Sequence, residues 1–207
     1  MTQALAKLVT FDEFIQWYPE NSEVHYELHD GIIIEMPKPT GEHSDIAGFL
    51  IDEFNIAIKE LGKRGVWNIP KECVVKPNSD KSGYEPDIII LNRENILQET
   101  RWKTESVIEH GSTVKLIVEI ASQNWRDDYY KKYSDYEEMG IAEYWIVDHS
   151  AKATKKLIGN PKLPTISVYQ LIEGEYQLTQ FRGNERIVSL TFPNFNLTAE
   201  EVFQAGL

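Results

Sequence analysis

The sequence predicts an α/β (α+β) domain: a mixed β-sheet with helices on its faces. Three observations lead there. Apolar runs of strand length recur early, midway and late in the chain. Segments of helical period fall between some of them, and two short turn signals separate neighbouring runs as hairpins do.

Taken in order, Thr10 before Phe11-Asp12-Glu13-Phe14-Ile15-Gln16-Trp17 predicts a helix with a capping box, Thr as N-cap and Glu13 reciprocating. Apolar runs at 24–28 and 32–36 flank His29-Asp30-Gly31, a hairpin signal. A longer helix over 42–61 follows, with Ile46, Phe49, Leu50, Phe54, Ala57, Ile58 and Leu61 as its apolar stripe and Gly62 as its stop. Strands are expected at 66–69, 74–76, 87–91 and 116–121, and a short helix at 94–98. A tyrosine-rich helix spans 125–139, with Asn124 as N-cap and Gly140 at C′. The run 143–148 reads as a strand, 166–172 and 176–181 as a hairpin around Glu173-Gly174, and 186–192 as one more strand. Thr198 caps a last helix over 199–204.

A chain of 207 residues suffices for a single domain, 1–207, with a full core. No run reaches membrane-spanning length, and Met1 to Lys7 has no signal-peptide core. Cys73 is the only cysteine, which excludes an intrachain disulfide and a cysteine zinc cluster. A cytoplasmic location is the expectation. The formal charge of −12 argues against a protein that grips nucleic acid by overall charge. One local exception exists: Lys152, Lys155, Lys156 and Lys162 share a stretch without an acid. Five Trp and ten Tyr leave room for a homodimer interface and serve equally well as core.

Chemistry concentrates in two runs, Tyr84-Glu85-Pro86-Asp87-Ile88-Ile89-Ile90-Leu91 and Lys115-Leu116-Ile117-Val118-Glu119-Ile120-Ala121. Pro86 suits the first residue of a strand, so Asp87 sits at an edge open to solvent. Leu116, Val118 and Ile120 fall on one strand face, and Ile117, Glu119 and Ala121 on the other. Glu119 is therefore an acid on an apolar face, where an unpaired carboxylate costs several kcal/mol. Two such acids at neighbouring strand ends, followed by a helix bearing Lys132, form a candidate divalent-metal site for phosphodiester chemistry. Against that stands a plainer account of Lys132: Asp127–Lys131, Asp128–Lys132 and Lys131–Asp135 all have the spacing of surface pairs.

Tyr26-Glu27-Leu28-x-Asp30-Gly31, His43, Glu85-Pro86-Asp87, Val118-Glu119-Ile120-x-Ser122 and Asp128-x-x-x-Lys132-x-x-x-Tyr136-x-x-x-Gly140-Ile141-x-Glu143-Tyr144-Trp145-x-Val147-Asp148 resemble the Uma2 family. These are restriction-endonuclease-like proteins of the PD-(D/E)XK nuclease superfamily, abundant in cyanobacteria. The resemblance runs from about Thr10 to Phe203 and is most specific from Glu119 to Asp148. It implies a restriction-endonuclease-like fold and an Mg²⁺- or Mn²⁺-dependent endonuclease acting on DNA. Asp87 and Glu119 are the implied metal ligands, with the Ile120 carbonyl completing the set. The superfamily's usual lysine, two residues after the acid, is Ala121 here, and Lys132 stands as its relocated counterpart. Glu27 and His43 match family positions and are further candidate catalytic residues. A non-catalytic module binding nucleic acid or protein on the same fold is the alternative.

Overall fold

The computed structural model describes residues 8–19 and 24–207. Residues 1–7, read above for a targeting signal, lie outside it. Helix α1 (Phe11–Trp17) carries the expected capping box, Thr10 with Glu13. Strands β1 (Tyr26–His29) and β2 (Ile32–Glu35) form a hairpin closed by Asp30 and Gly31. Both turn residues have positive φ, 51° and 82°, as a two-residue turn of primed type requires. Helix α2 (Gly41–Glu60) is capped by Thr40, and Gly62 ends it with φ +67° and Lys63 N–H bonded back to the Ile58 carbonyl.

Six strands build the main sheet, in the order β10-β9-β8-β7-β5-β3. They are β3 (Trp67–Asn68), β5 (Ile88–Asn92), β7 (Val114–Ile120), β8 (Glu143–Asp148), β9 (Thr165–Ile172) and β10 (Glu175–Phe181). Only β7 and β8 run parallel; the other neighbours are antiparallel. That step is a β-helix-β crossover through the tyrosine-rich helix, so the helix starts just past the C-terminal end of β7. Ligand sites favour this position in sheets with parallel steps.

The predicted alternation of β7 is realised. Leu116, Val118 and Ile120 join Ile46, Leu50 and Phe54 of α2 in one core layer. Ile117 and Ala121 join Trp125, Tyr129 and Tyr136 in the other. Most of the aromatic residues are spent here as core, including Trp145 and Tyr144, which are fully buried.

The strand expected at 74–76 forms as β4 (Val74–Val75), which lies outside the main sheet and pairs in parallel with β6 (Val107–Ile108), just after the short helix α3 (Trp102–Glu105). Other expectations are corrected. The short helix expected at 94–98 is a 3-10 turn, Ile96–Gln98. Residues 186–192 form no strand, only a single bridge from Arg186 to Thr198. The cause is Glu143, fully buried, whose Oε2 accepts from Ser189 Oγ at 3.0 Å and Thr191 N–H at 2.7 Å. This draws the chain into a coil and leaves Val188 and Leu190 facing solvent. The helix after β7 is not uniform: Asp127–Lys132 is a π-helical stretch, followed by α4 (Tyr133–Glu138). The basic loop holds a short helix, α5 (Lys155–Ile158), and the last helix, α6 (Ala199–Gln204), is capped by Thr198 as expected, with Glu201 completing a capping box.

Candidate active site

The site lies where β5, β7 and the crossover helix meet. In the antiparallel register Ile88 faces Val118, so Asp87, one residue earlier, falls opposite Glu119. The Asp87 carboxylate reaches across the gap. Its Oδ2 accepts from Ile120 N–H at 2.7 Å and lies 3.1 Å from His43 Nε2 at the start of α2. The Asp87 side chain remains a quarter exposed, which keeps this end of the site open to water.

Behind it the site is closed. Lys132 is 3% exposed, and its ammonium is ringed by Glu27 Oε1 at 3.0 Å, Glu119 Oε1 at 3.1 Å and Asp128 Oδ1 at 3.5 Å. An ammonium has three donors, and three carboxylates surround it. Tyr136 Oη also donates to Glu119 Oε1 at 3.2 Å, and the Tyr84 ring lies 5.7 Å from the ammonium. Of the pairs allowed by helix spacing, Asp128–Lys132 forms, but in the interior and not at the surface. Asp128 and Lys132 are buried, while Lys131 turns outward to Asp30 and Asp135 accepts from Tyr84 Oη.

The π-helical stretch explains how Asp128, Lys132 and Tyr136 all reach the sheet. In an α-helix of 3.6 residues per turn, each step of four residues overshoots by about 40°. In a π-helix of about 4.4 residues per turn, the same step falls short by roughly 30°. One step of each kind nearly cancels, so the three side chains stack on one line.

Charge is unbalanced in this space. Burial pushes the Glu119 carboxyl well above its usual range; Lys132 pulls it down, but Asp128, Asp87 and Glu27 push it up again. Burial likewise takes Asp128 up to about 7 against the pull of Lys132. Glu27 behaves differently. Burial raises it, but Lys132 and His29 outweigh burial and hold it below its ordinary value. Burial works against the Lys132 charge, yet Glu119, Glu27 and Asp128 hold its proton more tightly than in water.

All the predicted site residues, Asp87, Glu119, Ile120, Lys132, Glu27 and His43, come together. Sequence reasoning undervalued Asp128, and it missed the roles of the Tyr136 hydroxyl and of His29, whose Nε2 is 2.8 Å from Glu27 Oε2. The four-residue spacing of Asp128, Lys132 and Tyr136 carried the first two. Nothing in the sequence marked His29 beyond its place in the hairpin.

The donor set suits a hard cation. Every acid offers oxygen, and the carboxylates outnumber the one ammonium among them. Among the described residues no three His, Cys, Asp or Glu side chains form a ready-made ion cage.

The basic stretch lies nearby. The buried Asp148, at the end of β8, accepts from Lys152 N–H at 2.8 Å and Ala153 N–H at 2.9 Å, fixing the start of the loop. His149 pairs with Glu42 of α2 at 3.0 Å. The positive charge of Lys152 is felt at His43. Lys152, Lys155, Lys156 and Lys162 are all exposed.

A mixed sheet flanked by helices, with acids at adjacent strand ends and a buried lysine beside one of them, is a restriction-endonuclease-like architecture. Residues 11–200 match the model of the Uma2 family, described as "Putative restriction endonuclease", and the chain belongs to that family. A crystal structure from Anabaena variabilis, described as a putative nuclease belonging to DUF820, superposes with a TM-score of 0.71 at 20% identity, covering 96% of this chain and 99% of that one. At that identity the likeness speaks for the fold. Comparison with curated proteins finds no match. Among the described residues no helix is long and apolar enough to cross a membrane.

Proposed function

We propose that this chain is a divalent-metal-dependent endonuclease hydrolysing phosphodiester bonds in DNA. One observation carries the reading: Asp87 and Glu119 stand at adjacent strand ends beside a buried lysine, in a space with more carboxylates than cations. Asp87, Glu119 and the Ile120 carbonyl would hold Mg²⁺ or Mn²⁺. Bound there, such an ion polarises a phosphate and makes hydroxide accessible near neutral pH. The chain's own groups do the rest. His43 and the Ile120 N–H fix the orientation of Asp87. Lys132 holds Glu119 from behind and sets a positive charge near the site, from which charge gained by phosphoryl oxygens in the transition state would be stabilised through space. The exposed lysines after β8 offer a rim for backbone phosphates, a sequence-independent contact.

The net charge of −12 favours a second reading, a binding module without catalysis. Calorimetric titration with Mg²⁺, followed by a DNA cleavage assay, separates the two. The wild type is expected to bind the ion and cleave, and Glu119→Gln to lose both. A wild type that binds neither ion nor DNA would sink the nuclease reading.

A further inference from the structure

Glu27 sits in the middle of β1, 1% exposed, and both of its oxygens are already engaged. Oε1 accepts from Glu85 N–H at 3.0 Å and pairs with Lys132 Nζ at 3.0 Å. Oε2 meets His29 Nε2 at 2.8 Å. The contacts of Oε1 join two separate elements. Beside Glu27, Leu28 and Gly83 exchange main-chain hydrogen bonds at 2.8 and 2.9 Å. Main-chain pairing between the hairpin and the incoming chain stops there, and the Glu27 side chain continues it by taking the next N–H in line, that of Glu85. Pro86 follows, with φ fixed by its ring and the conformation of Glu85 restricted in turn. Asp87 comes next. A hold on Glu85 N–H is therefore transmitted through a stiff dipeptide to the acid at the mouth of the site. The far side of Glu85 is fixed too, its carboxylate accepting from Tyr18 Oη and lying 2.7 Å from His25 Nδ1.

We propose that Glu27 is a positioning residue rather than a metal ligand: it sets the Lys132 ammonium and the Asp87-bearing segment at a fixed separation, and His29 occupies its second oxygen. A carboxylate whose oxygens accept a main-chain N–H, an ammonium and an imidazole is poorly placed to give one up to a metal. Asp87 and Glu119 are not constrained in that way. Among the described residues no hydrogen bond reaches Asp87 Oδ1 or Glu119 Oε2. The assignment rests on the metal-nuclease reading only for its kinetic consequence.

The test uses the full chain and three variants, Glu27→Gln, Glu27→Asp and Glu119→Gln. Gln keeps the length and the acceptor for Glu85 N–H but loses the charge that holds Lys132. Asp keeps the charge and loses the reach. By calorimetry with Mn²⁺, both Glu27 variants are expected to bind within about threefold of wild type, and Glu119→Gln at least tenfold more weakly. With ¹⁵N-lysine labelling, the Lys132 Nζ resonance is expected to be sharp in the wild type, where three carboxylates hold its protons, and broadened beyond detection in Glu27→Gln. In DNA cleavage, Glu27→Gln should lower kcat at least tenfold with KM little changed. Loss of Mn²⁺ affinity in both Glu27 variants equal to that of Glu119→Gln would make Glu27 a ligand and overturn the assignment. So would an unchanged Lys132 resonance, which marks a merely structural side chain. If the wild type cleaves nothing, the nuclease reading fails by itself, and the resonance and the Mn²⁺ affinities still decide the role of Glu27.

Discussion

Lys132 has a single positive charge to set against three carboxylates, and removing it leaves them buried and opposed. Deleting one partner of a buried ion pair commonly costs about 3–5 kcal/mol. Lys132→Gln is therefore expected to be strongly destabilised without metal, and Mg²⁺ should recover part of the loss by supplying the missing charge. Thermal unfolding in chelator and in Mg²⁺ checks both halves. Equal destabilisation in the two buffers would mean that the ion does not reach these acids. Asp128 gives a test by pH. Its carboxyl titrates near 7 in the fold against 3.8 ordinarily, so the native chain holds a proton that the unfolded chain has lost between those values. Stability in metal-free buffer should therefore fall as pH rises from about 4 towards about 7, with Asp128 contributing at most about 1.4 kcal/mol per pH unit. Asp128→Asn should flatten the melting-temperature profile measured from pH 4.5 to 6; an unaltered slope would place that proton elsewhere.

At the scale of elements, legibility followed how local the deciding forces were. Strand β8 matches its predicted limits because six successive buried residues need no distant partner to be read as a strand. The two capped helices at Thr10 and Thr198 were equally plain, since a capping box is complete within four residues. The coil at 186–192 was not legible, because the Glu143 carboxylate that bends it lies more than forty residues upstream. The π-helical stretch was hidden for a related reason: spacing by four reads as an α-helical surface stripe until the sheet pulls it inward. The acids Asp87 and Glu119 were visible as anomalies in apolar runs and Lys132 through the family resemblance, whereas the inward turn of Asp128 was not. The loop after β8 yields its own test. Asp148 holds Lys152 and Ala153, so the lysines that follow project from an anchored base. Replacing Lys155 and Lys156 with Ala should reduce the slope of log affinity for duplex DNA against log salt by up to about 2, one for each phosphate left without its lysine. A slope that stays the same removes this loop from the interface.

For the whole molecule, the relevant quantity is the length of chain that each contact of the site must close. His43 and Asp87 are 44 residues apart, and Asp87 and the Ile120 N–H 33. The contact between hairpin and crossover helix, seen also in Lys131 with Asp30, closes 101 residues. Longer closures cost more chain entropy, and contacts of high sequence separation slow folding. The hairpin β9–β10, joined by two residues, and the capped helices carry no such cost. The crowding of acids around Lys132 is thus expected to arise after the folding barrier has been crossed. An ion that relieves it should leave the refolding arm of a chevron plot unmoved and slow the unfolding arm. Bound metal would then lengthen the lifetime of the native state without hastening its formation. Stopped-flow unfolding in Mg²⁺ and in chelator measures this directly, and a faster refolding arm in Mg²⁺ would show the site already assembled at the barrier.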